Sequence, residues 1–490
     1  MKQNSKNYVA FDCGNSSVRV ILGQFDGETV TTELIHQVEH KEVWINGYFY
    51  WDILHIFTEL KKGLAMAARK CGHIDSAGIC TWGIDFGMMG QQGQLLANPL
   101  CYRNGLGNDI LQTLDERERR FMFDATGIHN HQMNSLYQFL AYKKTFPEQV
   151  ACAKTILLTP DLLNFLFTGT MSAERTITST TQYYSVIDHQ YSEKVAEKFA
   201  LDMSLFPPLI NNGETIGELR PEIAQDLNVN IFPFICVPSH DTASAVTAVP
   251  ASEKNFIFIS SGTWSLIGTE LNAPIVSDGV YDAGLANEEG AFQSTTLLKN
   301  SAGMFIIQRI RAELDAKAKK LSWDEIVAMA KSSSDDSLLF DPNNERLFNP
   351  PSMIGEIRKL LAETGQNGDC SVADIIRSVY RSIAMSYRYT IESIAAVTGK
   401  EYGQVYIIGG GSKNMFLNQL VADVTGMVVT AGPVEATSLG NIMVQLTHFD
   451  DRFSTLADLR GVVRRSIDTQ VFAPQKNEDQ NYQRYLAYLN

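Results

Sequence analysis

In the stretch 237-VPSHDTASAV-246, the apolar run 231-IFPFICVP-238 delivers His240 and Asp241 just where a helix would begin. A carboxylate at that point has two uses. It can accept the proton of a hydroxyl that attacks a phosphoryl group, help that is typically worth ~10²–10⁴-fold in rate. It can equally cap the helix that follows. His240 could hold the same substrate by hydrogen bonding. A second candidate lies in 80-CTWGIDFGMMGQQGQLL-96, where an apolar strand brings out Trp82, Gly83 and Asp85. Sugar hydroxyls need acceptors and sugar rings pack on aromatic faces, so this trio suits a sugar. A buried structural carboxylate is the other reading of Asp85.

Phosphate chemistry has its own candidates. The segment 8-YVAFDCGNSSVRVILGQFDG-27 contains a polar turn with Asp12, Asn15, Ser16 and Ser17 between two apolar runs. The segment 255-NFIFISSGTWSLIGTEL-271 has the same look, with a Ser-Gly-Thr turn. Turn N–H groups and hydroxyls donate to anionic oxygens, and Asp12 could hold Mg²⁺ through water or simply close an Asx turn. In 407-IIGGGSKN-414 three glycines stand between a strand and a helix. They suit close approach of a nucleotide to a helix start, and they also suit a tight connection. No G-x-x-x-x-G-K-[ST] and no G-x-G-x-x-G occurs, which excludes a P-loop and weakens a dinucleotide dehydrogenase.

These residues need elements to carry them. Both polar turns lie between short apolar runs, the pattern of a β-hairpin. They fall about half a chain apart, and mixed helix and strand follow each. The pattern predicts two similar α/β halves, residues 1–250 and 251–450, with a polar tail from 451 to 490 packed on the surface. Apolar spacing predicts helices over 53–70 and 372–399, the latter stopped by Gly399. Residues 404–426 and 427–446 each read as strand, turn and helix.

Composition narrows the classes. With 490 residues, 44% of them hydrophobic, there is material for two to four globular domains. The net charge of −14 and pI near 5.2 leave no basic stripe for nucleic acid, and 116-ERERR-120 mixes both signs. Seven widely spaced cysteines without C-x-x-C predict free thiols in the cytoplasm. No secretory leader and no membrane-spanning run is predicted.

In their order along the chain, FDCGNSSVR, TWGIDF, SHDTASAV, SSGTWSLIG, LLKNSAGMFIIQR, IIGGGSKN and AGPVEATSLGN resemble the FGGY family of carbohydrate kinases, and most nearly its L-rhamnulose kinase branch. The resemblance spans nearly the whole chain. It implies two ribonuclease-H-like domains, of the actin, sugar-kinase and Hsp70 group, with a cleft between them for ATP and sugar. It implies transfer of a phosphoryl group from ATP, with Mg²⁺, to the C1 hydroxyl of a ketose, in a monomer or homodimer. Asp241 then falls on the general base. Gly83, His240, Thr242 and Asn300 fall on sugar contacts, with Asp85 beside Gly83. Asn15, Ser16, Ser17, Val18 and Arg19 fall on the phosphate loop. Thr263, Gln308 and Gly410 fall on further nucleotide contacts, and Asp12 on the Mg²⁺-associated aspartate.

The chain departs from that branch in several places. Cys80 stands where an Asp is usual before TWG, Val18 where a glycine is usual, and Asn104 where YRD is usual; 86-FGMMG-90 also differs. Val18 is expected to make the phosphate loop bulkier and to weaken ATP binding. L-Rhamnulose leads as substrate, with L-fuculose or another ketose next. An inactive sugar or nucleotide sensor on the same fold is the alternative of another class. A retained base argues against it, and a repressor would need a DNA-binding appendage before the first strand.

Overall fold

The structure, a computed structural model, describes residues 5–316 and 320–489. The chain forms two compact units. The first comprises the chain up to Ser252, Glu270–Leu297 and Glu435–Ile467. The second comprises Glu253–Thr269, Leu298–Val434 and the chain from Asp468 onward. Contacts therefore divide the chain otherwise than by a single cut near residue 250. Nor do residues 451–490 behave as one surface tail. The helix Leu456–Ser466 buries Leu459, Val462 and Val463 in the first unit, and the helix Asp479–Leu486 buries Tyr482 and Tyr485 in the second.

The first unit is built on a mixed sheet. Its strands are β1 (Lys6–Cys13), β2 (Ser17–Phe25), β3 (Val30–Glu39), β4 (Ser76–Thr81), β5 (Thr215–Glu218) and β6 (Pro233–Ile235). The spatial order is β5-β6-β4-β1-β2-β3. β1, β4 and β6 are parallel, and hairpins flank them on both sides. β4 is buried along its whole length and β1 beyond Lys6, so both read as continuous apolar runs, as doubly covered parallel strands do. One face packs Phe11 on Phe167 and Phe234, with ring centroids 5.1–6.2 Å apart. The predicted helix at 53–70 is Ile53–Cys71, capped by Asp52 and carrying Arg69 and Lys70 in its last turn.

The sheet of the second unit repeats this plan. Its strands are β7 (Ile257–Ser261), β8 (Trp264–Leu271), β9 (Thr295–Ala302), β10 (Gln404–Ile408), β11 (Val428–Ala431) and β12 (Gln470–Phe472). Six of the seven strands of this sheet run in the order β9-β8-β7-β10-β11-β12, with β7, β10 and β11 parallel, β8 antiparallel to β7 and β12 antiparallel to β11; the seventh, Ala286–Glu289, lies at the β9 edge. The expected similarity of the halves is thus a similarity of strand order. The predicted long helix is Val372–Thr398, opened by a Ser371–Asp374 capping box and closed by Gly399 in the left-handed region.

Candidate active site

In open sheets of this kind, ligands bind beyond the carboxyl ends of the parallel strands. In the first unit those ends carry Asp12, His240 and Asp241. Asp12 lies opposite Cys80 in the β1–β4 register, and Thr81 bridges to His240 beyond β6. Asp12 is buried and lies within a strand, which removes the Asx-turn reading. Arg19 Nη2 donates to its Oδ2 at 2.6 Å and Ser438 Oγ donates to the same oxygen at 2.9 Å. Arg19 also pairs with Glu435.

Asp241 opens the short helix Asp241–Thr247, but it is not the cap. That position belongs to His240, and no side chain caps the helix there. The Asp241 side chain keeps 35% of its surface, against 3% for Asp12, so it is the more open carboxylate of the pair. Thr242 Oγ1 donates to its Oδ1 at 3.3 Å. Burial raises its pKa above the ordinary carboxylate value, His240 pulls it down, and the charge of Asp12 pushes it up again. His240 contacts Asp241 at 3.5 Å and Glu288 at 3.1 Å.

A buried carboxylate holds this corner in place. Glu174 accepts from the N–H and hydroxyl of Ser239 at 3.1 and 2.9 Å, just before His240. It also accepts from Thr176, Ile177 and Asn212. The helix Ala436–Phe449 crosses the Asp241 helix closely at Gly440, where any Cβ would sit on the Ser244 carbonyl oxygen. Ser244 Oγ donates to Thr437 O at 3.0 Å and Thr437 Oγ1 donates to Asp241 O at 3.3 Å, tying the two helices.

The phosphate-loop candidates follow β1. Gly14 N donates to Ser17 O at 3.0 Å, and the His40 ring lies 2.8 Å from Gly14 O. Burial lowers the His40 pKa, so a neutral ring donates there. Ser16 is exposed, Ser17 half-buried, and Asn15 Oδ1 is buried without a hydrogen bond. Val18 belongs to the core cluster, so its side chain does not crowd the turn. Gly83 is half-buried against Thr180. Asp85 is only 1% exposed, and its Oδ2 accepts from both Trp51 Nε1 at 2.5 Å and Trp82 Nε1 at 3.0 Å. Its carboxylate therefore reaches two indoles rather than solvent, and burial raises its pKa to about 7. Cys80 is buried with Ser244 and Asn441 on its sulfur, and Asn104 ties Phe49 to Cys101.

The second unit holds the other candidates. Thr263 lies in the exposed β7–β8 turn, docked by its carbonyl on Phe305 N at 3.0 Å, and Gln308 is exposed one turn further along that helix. Gly410 is exposed beyond β10. Its neighbour Gly411 packs against Ser261, where a Cβ would meet the hydroxyl. Asn300 is exposed on β9. Sequence reasoning missed His40, Glu174 and Glu288, which carry no local signal. Glu435 and Ser438 lie inside AGPVEATSLGN, a motif without an assigned role.

The doubled strand plan is that of two-domain sugar kinases. Profiles of the FGGY family of carbohydrate kinases match, the N-terminal domain over residues 7–248 and the C-terminal domain over 257–448. A rhamnulokinase of Bacteroides thetaiotaomicron is 33% identical over 476 residues, covering 97% of this chain and 96% of the relative. A rhamnulokinase of Oceanobacillus iheyensis is 34% identical over 469 residues, covering 95% and 98%. Among solved structures, xylulose kinase from Lactobacillus acidophilus superposes with a TM-score of 0.81 at 15% identity, covering 99% of this chain and 96% of that one. Glycerol kinase of Plasmodium falciparum gives 0.75 at 16% identity, covering 99% and 97%. The chain belongs to the FGGY family of carbohydrate kinases and is an ATP-dependent sugar kinase.

Proposed function

We propose that the protein phosphorylates the C1 hydroxyl of a ketose, with L-rhamnulose as the substrate. The observation that carries this reading is Asp241: an open carboxylate at a strand end, relieved of capping duty and seated between His240 and Thr242. The names of the 33–34% identical relatives support the choice of sugar. Asp241 accepts the hydroxyl proton while the sugar oxygen bonds to the γ-phosphorus of ATP. The bond from that phosphorus to the bridging oxygen breaks, and ADP leaves with the electron pair.

His240, Thr242, Gly83 and Asn300 are proposed to hold the sugar, with Asp85 bracing the tryptophans behind Gly83. Asn15, Ser16, Ser17, Val18 and Arg19 are proposed for the phosphates, Val18 through its backbone alone. Thr263, Gln308 and Gly410 are proposed for the rest of the nucleotide. Asp12 fits Mg²⁺: a phosphate-bound Mg²⁺ needs only one or two protein carboxylates, and both hydrogen bonds to Asp12 fall on one oxygen. When bound, the cation offsets phosphate charge. The free thiols fit a cytoplasmic enzyme, monomeric or homodimeric.

The test is an ADP-release assay across a ketose panel, with Asp241→Asn beside the wild type. L-Rhamnulose should give the highest kcat/KM, and Asp241→Asn should lower kcat by ~10²–10⁴-fold with sugar binding retained. Near-normal turnover in that variant removes the base. No turnover on any ketose, with ATP still bound, favours a sensor.

A further inference from the structure

Both ring nitrogens of His240 face a carboxylate. Nδ1 lies 3.1 Å from Glu288 Oε2 and Nε2 lies 3.5 Å from Asp241 Oδ1, both as charge contacts, since the buried Nδ1 makes no hydrogen bond. The exposures differ in a useful way. The side chains of His240 and Glu288 keep 10% and 16% of their surface, against 35% for Asp241, so the Glu288 contact is the better shielded from water. Glu288 lies on the strand Ala286–Glu289, which is pinned at both of its neighbours. Asn287 donates to Gly127 O and Ile275 O and accepts from Ile275 N, while Glu289 accepts from Tyr184 and contacts His189. Successive strand residues point to opposite faces, so these two anchors leave Glu288 directed at the imidazole. On the other side, Thr176 Oγ1 accepts from His240 N at 3.1 Å, which fixes the backbone but not the ring.

We propose that Glu288 is a positioning residue of the proton-transfer site: as the shielded charge partner of Nδ1 it holds the His240 ring with Nε2 toward the Asp241 carboxylate. The inference rests on Asp241 as the base. The charged groups around the ring agree with it. Burial opposes protonation of His240, but Glu288 outweighs it, helped by Asp241 and by Glu174 from the strand Ala173–Glu174, and the pKa stands at about 9. The cationic ring then offsets the upward push that burial and Asp12 give the Asp241 carboxyl. Glu288 thereby limits the rise of the Asp241 pKa, without touching the reacting atoms. If its charge is removed, the ring loses its proton at a lower pH and the Asp241 pKa rises.

The test does not depend on turnover. Full-length protein labelled with ¹³Cε1-histidine, with the His240 signal assigned by His240→Asn, is titrated by NMR. The wild-type midpoint should lie at least about one unit above the ordinary histidine value, and Glu288→Gln should lower it by about one unit or more. In the same variant the acid limb of kcat/KM should move to higher pH by about half a unit, and His240→Asn/Glu288→Gln should show no shift beyond His240→Asn alone. Glu288→Asp should fall between wild type and Gln, and it serves in place of Gln if Gln does not fold. A His240 midpoint that ignores Glu288 overturns the proposal, as does a midpoint that moves while the acid limb stays. If no ketose is phosphorylated, Asp241 fails as base while the NMR titration still decides whether Glu288 controls the ring.

Discussion

At the scale of single residues, the two aspartates of the sugar-type and base-type motifs have separate environments. Asp241 keeps access to solvent beside His240, whereas Asp85 is sealed under two indoles. The Asp85 value of about 7 against an ordinary 3.8 has a stability consequence. Between those pH values the folded state binds the extra proton, so stability falls as pH rises from about 4 to about 7 and is level above that. Asp85→Asn cannot ionise, yet its amide oxygen still accepts from the indoles. Its unfolding free energy should gain on the wild type by a few kcal/mol across that window, measured by urea unfolding at several pH values. The types and order of Asp12, Gly83, His240 and Asp241 were legible because each stands in a short motif. Their partners were not. Ser438 lies 426 residues from Asp12, and Glu435 lies 416 from Arg19. Nothing in local spacing marks a contact of that range.

At the scale of elements, the hairpins and the long helix were legible because apolar alternation and capping residues are local signals. The crossing of the helices Asp241–Thr247 and Ala436–Phe449 was not, since it depends on one glycine meeting one distant carbonyl. That crossing sets where Asp241, the proposed base, sits. Gly440→Ala should force the helices apart, at a cost of about 1–3 kcal/mol in thermal unfolding. A displacement near 1 Å can cost about 10²-fold in rate, so kcat should fall by that order while the ATP KM changes little. The close approach also explains why an AGPVEATSLGN segment, silent about chemistry by composition, matters to the site. A second mismatch is Ile84, whose φ of 72° is unusual for a β-branched residue. Thr180 and Ser135 hold its backbone between Gly83 and Asp85.

At the scale of the whole molecule, no described helix is long and apolar enough to cross a membrane, and all seven cysteines are free. The last residues are structural. Arg381, 1% exposed in the long helix of the second unit, pairs with Glu478 at 2.6 Å and with Asp336 at 3.2 Å. Glu478→Gln leaves that guanidinium only Asp336, and it should destabilise the fold by about 3 kcal/mol, read from urea unfolding. The doubled strand plan was legible from two similar hairpins. The return of Glu435–Ile467 to the first unit was not, because composition does not change where the chain turns back. That return has a consequence for biosynthesis. A nascent chain emerging from a ribosome exposes Asp12 426 residues ahead of its partner Ser438, and the Gly440 crossing forms later still. Products terminated between the two hold the early strands without the Asp12–Ser438 contact or the Gly440 crossing, so this corner closes as one event rather than half by half.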